Sequence, residues 1–154
     1  MASAHEKKFA EGAQPYLEDG ERVLATCIAQ AKGFSRMMVS GLDLGKREVG
    51  RSTAAAAEGE VKVANPMALA LTDRRLLTLK ISAPIGLGIG GSVKELLSAI
   101  PLDQVDAIEV KKIALRQNIT LRIRGVEIPL ETNAKANAKG LAETFERAKR
   151  GAVV

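Results

Sequence analysis

The chain reads as a mainly β domain of the α+β kind: a bent antiparallel sheet or barrel of about seven strands capped by one C-terminal helix. Three observations predict it. Across residues 106–130 apolar and polar residues alternate with a period of two, as in strands with one buried face. From Asn133 the apolar spacing changes to that of a helix and keeps it to the end. Turn signals at Asp19-Gly20, Thr72-Asp73-Arg74 and Arg124-Gly125 separate aliphatic runs too short for helices.

Residues 1–20 form a lead-in, in which Phe9, Ala13, Tyr16 and Leu17 fall on one helical face over 4–18. The domain proper spans 21–150. Residues 22–31 read as its first strand, with Val23, Ala25, Cys27 and Ala29 on one face. Residues 32–64 form a Gly/Ala-rich insertion punctuated by Gly33, Gly41, Gly45, Gly50 and Gly59. A connection this long in a compact domain is either functional or partly ordered. Within it Phe34, Met37, Met38, Val39 and Leu42 could form one or two helical turns, and Val61 and Val63 could begin a strand edge.

A hairpin follows. Met67, Leu69 and Leu71 alternate with alanines, and Leu77, Leu79 and Ile81 alternate with Thr78 and Lys80. Pro84 ends the second strand and a glycine-rich loop follows. Residues 92–100 are ambiguous between a helical turn and a strand, and Pro101 stops them. Residues 106–113 read as the next strand, then 118–124 and 126–131 as a hairpin. Its register sets Ile123 against Val126, Leu121 against Ile128, Ile119 against Leu130 and, on the wet face, Arg122 against Glu127. Asn133 is the expected N-cap of the last helix, whose stripe is Ala134, Ala138, Leu141, Phe145 and Ala148.

Composition narrows the function. A chain of 154 residues matches one domain, since domains most often hold about 100–150. Hydrophobic residues make up 46% but aromatics only 3%, so the core must be aliphatic. Few rings also argue against single-stranded nucleic acid, whose bases stack on exposed aromatics. Residues 1–110 carry 13 Lys/Arg against 14 Asp/Glu, while residues 111–154 carry 10 against 4. Such asymmetry points to an anionic partner near the C-terminal elements, although ordinary solvated faces account for it too. Residues 1–14 lack the apolar centre of a secretory signal, and no run of about 18 apolar residues occurs, so a cytoplasmic location is expected.

Catalytic raw material is scarce. His5 is the only histidine and lies in a polar stretch; Cys27 is the only cysteine and sits mid-strand among alanines, where a buried small hydrophobe is expected. No metal ligand set, cofactor site or catalytic group is expected. The sharpest motif is Gly86-Leu87-Gly88-Ile89-Gly90-Gly91, a G-x-G-x-x-G run that would hold a dinucleotide pyrophosphate if it opened a helix. Pro84 and the succession of strands around it favour a hairpin loop instead. Lys46, Arg47 and Arg51 in the insertion, and Lys111, Lys112 and Arg116 at one strand connection, are candidates for anions or lipid headgroups. The apolar loop carrying Ile85, Leu87 and Ile89 is a candidate interface with a membrane or a neighbouring subunit.

Leu71-Thr72-Asp73-Arg74-Arg75-Leu76-Leu77 resembles the "T-D-x-R-L" hairpin of the bacterial pleckstrin-homology-like families. Ile100-Pro101-Leu102-Asp103-Gln104-Val105 is similar to their "I-P-hydrophobic-D-x-I/V" segment, and residues 17–23 to their "L-x-x-G-E-x-V" start. The resemblance covers roughly residues 17–149 and implies a seven-stranded bent sheet capped by one helix. In eukaryotic relatives phosphoinositides bind basic residues in the loop after the first strand; here that insertion holds Lys46, Arg47 and Arg51, without the K-x-R arrangement. The resemblance implies an interaction or assembly module, often oligomeric.

The expectation is therefore a non-enzymatic binding or assembly module that partners protein or itself. The alternatives are peripheral binding to anionic membrane lipids and a nucleotide-binding enzyme using Gly86, Gly88 and Gly91. Nucleic acid ranks last, for want of a reading helix or stacking rings.

Overall fold

The computed structural model describes residues 4–40, 43–82, 92–114 and 116–151. Along the chain come α1 (Ala4–Ala13), β1 (Val23–Ala31), α2 (Phe34–Ser40), α3 (Asp43–Glu58), β2 (Met67–Thr72), β3 (Arg75–Ile81) and β4 (Val93–Pro101). They are followed by β5 (Val105–Ile113), β6 (Arg116–Ile123), β7 (Val126–Asn133) and α4 (Ala138–Lys149). The seven strands form one antiparallel sheet in the order β4-β3-β2-β1-β7-β6-β5. It is not closed: among the described residues β4 and β5 lie at its two ends and each pairs on one side only.

The β6–β7 register is the one alternation dictates, with Ile123 opposite Val126, Leu121 opposite Ile128, Ile119 opposite Leu130 and Arg122 opposite Glu127. The turn works because Arg124 and Gly125 both take positive φ, 50° and 78°, which matches the twist of the two strands. Arg122 donates to Glu127 at 2.8 Å and Glu109 at 3.1 Å, tying the wet face of three strands.

Two apolar cores sandwich half of the sheet. On one face Met67, Leu69, Leu71, Ile119, Leu121 and Leu130 join Leu141 and Phe145 of α4. On the other, Phe9 and Ala13 of α1 lie over Ala68, Ala70, Leu77 and Leu79. Hence β2 is buried at every position, and its alternating alanines leave room for α1 where larger side chains would not.

Several local expectations are corrected. Residues 93–101 are a strand paired with β3, and Val61 and Val63 belong to no strand. Val61 is instead buried beside the main core, in a strap pinned by Lys62, which donates from its N to Ser98 Oγ and accepts from Thr78 Oγ1. The insertion forms helices α2 and α3. Inside α3, Gly45 is required by packing: a Cβ there would stand 2.8 Å from Met37 N of α2. The last helix starts later than expected. Asn137, not Asn133, is its N-cap, accepting from Gly140 N at 3.0 Å, whereas Asn133 ends β7 and its side chain accepts from Lys135 N. Ala134 consequently precedes the helix.

β1 and β7 pair only through Gln30–Glu131 and Ala31–Leu130. Where they part, α3 fills the gap: Ala56 enters the main core and Ser52 Oγ donates to Pro129 O at 2.6 Å. Lys32 N donates to the same carbonyl. In a strand the N and C=O of one residue face the same way, so Pro129 lacks its donor on the side where the ladder ends.

Candidate functional site

The two ends of the sheet differ. Pairing of β4 with β3 is broken by irregularities at Thr78/Leu79 and Lys80/Ile81, while the Lys62 strap crosses one face of the two strands at the side chains of Thr78 and Ser98. Bulges blunt an edge. By contrast, β5 pairs with β6 without interruption from Ala107 to Ile113. At its start Lys149 Nζ of α4 donates to Val105 O while lying 5.6 Å from the Phe145 ring centre, closing that end of the ladder. Beyond it the strand rises out of the protein: Glu109, Lys111, Lys112 and Ile113 are exposed. At 42% exposure, Ile113 is the one large hydrophobic residue standing in solvent among the described residues.

Register with β6 sorts the side chains of β5. Ala107, Glu109, Lys111 and Ile113 share the outer face, opposite Arg122, Thr120, Asn118 and Arg116; Ile108, Val110 and Lys112 take the inner one. Thus Lys111, Lys112 and Arg116 do not form one cluster. Lys112 points away from the other two, and Arg116 Nη1 turns to Glu131 at 3.3 Å. Lys46, Arg47 and Arg51 lie together along α3 and all are exposed. Gly86, Gly88 and Gly91, and the loop residues Ile85, Leu87 and Ile89, lie outside the described residues. The strands on either side of them are antiparallel neighbours, so the glycine run does not lead into a helix, which the dinucleotide fingerprint requires.

Sequence reasoning missed Glu131. Its side chain is almost fully buried, yet it accepts from Gln30 Nε2 (2.8 Å), Gly33 N (2.8 Å), Ser35 N (3.1 Å) and Ser35 Oγ (2.6 Å), besides Arg116. Burial works to raise its pKa, but the donors from Ser35, Gly33 and Gln30 outweigh that and hold the carboxyl below its ordinary range. The carboxylate fixes the chain's exit from β1 into α2, where Gly33 at φ +92° turns its N–H inward. A cleft of about 240 Å³ opens beside it, lined by Ile28, Gln30, Ser35, Arg116 and Thr132, and Thr132 Oγ1 has no hydrogen-bond partner. No local pattern announces this site, because its donors come from up to 101 residues away.

Cys27 is buried in the main core, and burial pushes its thiol up to about 12. Among the described residues no three of His, Cys, Asp and Glu stand where they could hold a metal ion. No described helix is long and apolar enough to cross a membrane.

A family model described as bacterial PH domain matches residues 17–146. The chain is similar to a pleckstrin homology domain from Shewanella amazonensis SB2B, with 15% identity, a TM-score of 0.52, and coverage of 97% of this chain and 91% of that one. It is also similar to a DUF1696 family protein with a pleckstrin-homology domain from Shewanella loihica PV-4, with 13% identity, a TM-score of 0.47, and coverage of 91% and 92%. No curated protein matches the chain.

Proposed function

Because this chain belongs to the bacterial PH domain family, we propose that it works as a non-enzymatic, cytoplasmic binding and assembly module whose partner is protein, a second copy of itself first of all. One observation carries the reading. From Ala107 to Ile113 the edge of β5 is regular and pairs with a strand on one side only, and it ends in the exposed Ile113. An open ladder of this kind is a template for one more strand. Light scattering on the full chain tests it: a mass above 16.3 kDa at micromolar concentration supports self-assembly. A mass of 16.3 kDa throughout, with no partner retained on the immobilised chain, contradicts it.

A second reading is peripheral attachment to anionic lipid. It is favoured by the exposure of Lys46, Arg47 and Arg51 along one helix, since clustered cations near a surface attract such headgroups. A nucleotide-binding enzyme is disfavoured by the hairpin setting of the glycine run.

A further inference from the structure

We infer that two copies of this chain join edge to edge through β5, antiparallel about a twofold axis at Val110, so that Glu109 of each copy meets Lys111 of the other. The inference rests on the assembly reading above and names the surface and the register.

Geometry and charge select it together. An antiparallel pair of identical strands is related by a twofold axis normal to the sheet, which leaves outer faces outer in both copies. Residues directly opposite must then share a face, so the axis passes through a residue or lies a whole pair-step away. With the axis at Glu109, that carboxylate faces its own copy; with the axis at Lys111, two ammonium groups meet. Like charges directly opposite destabilise a sheet pair. With the axis at Val110, Glu109 and Lys111 pair twice, and Ile113 falls opposite Ala107, the small half-buried residue on the same face.

The surroundings agree. Lys149 occupies the ladder at Val105, just outside the segment 107–113 that this register uses. Arg122, 3.1 Å from Glu109, has Glu127 as a second partner at 2.8 Å, so Glu109 can accept a further cation. Joined in this way, the exposed Ile113 is covered and the open ladder is filled in one contact.

The test compares the full chain with Glu109→Lys, Lys111→Glu and the double exchange carrying both substitutions, by light scattering at equal concentration. The expected wild-type mass is twice 16.3 kDa. Each single variant sets like charges opposite and is expected to fall twofold in mass, with its circular dichroism unchanged. The double exchange restores opposite charges and is expected to recover the wild-type mass. Where a single variant fails to fold, the double exchange decides: recovered mass supports the register, and a folded monomer overturns it. Single variants that keep the wild-type mass also overturn this register while leaving self-assembly standing. A monomeric wild type overturns the inference together with the self-association on which it rests.

Discussion

The Glu21 carboxylate and the Arg75 guanidinium meet as a two-pronged ion pair, with Nη2 2.6 Å from Oε1 and Nε 2.9 Å from Oε2. Thr72 Oγ1 donates to Oε2 at 2.6 Å, Glu18 N to Oε1 at 2.9 Å, and Arg75 also reaches Tyr16 O. The L-x-x-G-E-x-V start and the T-D-x-R-L hairpin are thus two halves of one clamp, which holds the entrance of β1 against the β2–β3 turn. Replacing Arg75 with Met leaves the carboxylate buried without its cation. Loss of one partner of a buried pair costs about 3–5 kcal/mol, readable as a urea midpoint. A loss below about 1 kcal/mol would show the clamp to be ornamental.

The same pair makes stability acid-sensitive. Burial works to raise the Glu21 pKa, but the bonds from Arg75, Thr72 and Glu18 outweigh it and hold the value at about 2 against an ordinary 4.5. The folded pKa lies below the unfolded one. The contribution is therefore whole above pH 4.5 and fades as pH falls towards 2. Glu131, also lowered, acts in the same direction. Urea midpoints should drop between pH 5 and pH 2.5, by an amount worth about 3 kcal/mol for Glu21 at full protonation. Equal midpoints at both would contradict this.

The start of α4 separates two asparagines four residues apart. Asn137→Ala removes the cap on Gly140 N and is expected to cost about 1 kcal/mol. Asn133→Ala removes only the local bond to Lys135 N and should cost less. The reverse order in thermal unfolding would return the N-cap to Asn133.

Buried and with its thiol pushed up to about 12, Cys27 should resist a disulfide reagent at pH 8 in the native chain. Stoichiometric reaction is expected only after unfolding. Rapid modification of native protein would mean that the β1 core opens.

Changing Lys46, Arg47 and Arg51 together to Glu alters exposed positions of α3. Thermal stability is expected to stay within about 1 kcal/mol of wild type. Under the assembly reading, co-sedimentation with phosphatidylserine vesicles is the same for both chains. Binding that is strong in wild type and lost in the variant would move the function to the membrane.

The legible parts of the fold share a physical reason. β6 and β7 carry strict alternation on both sides of an Arg-Gly turn, so register, turn and buried face follow from local rules. β4 resisted because two irregularities shift its alternation and α1 half-covers its outer face, blurring the period. α3 resisted because Gly45 and Gly50 read as loop residues, whereas Gly45 is demanded by the close approach of α2. The repeat Asn-Ala-Lys-Ala-Asn-Ala-Lys at 133–139 offers the same cap signal twice, and only the length of β7 decides between them. Among candidate residues, exposure of the basic side chains was readable, but the capture of Arg116 by Glu131 was not, since that carboxylate is placed by donors from the far end of β1.

The central claim is that the free edge of β5 receives another strand. Amide hydrogen exchange of residues 107–113, compared at low and high protein concentration, tests it most directly. Protection that rises with concentration and is concentrated in that segment is the predicted result. Exchange that is unchanged by concentration there, or protection that grows on another surface, would contradict it.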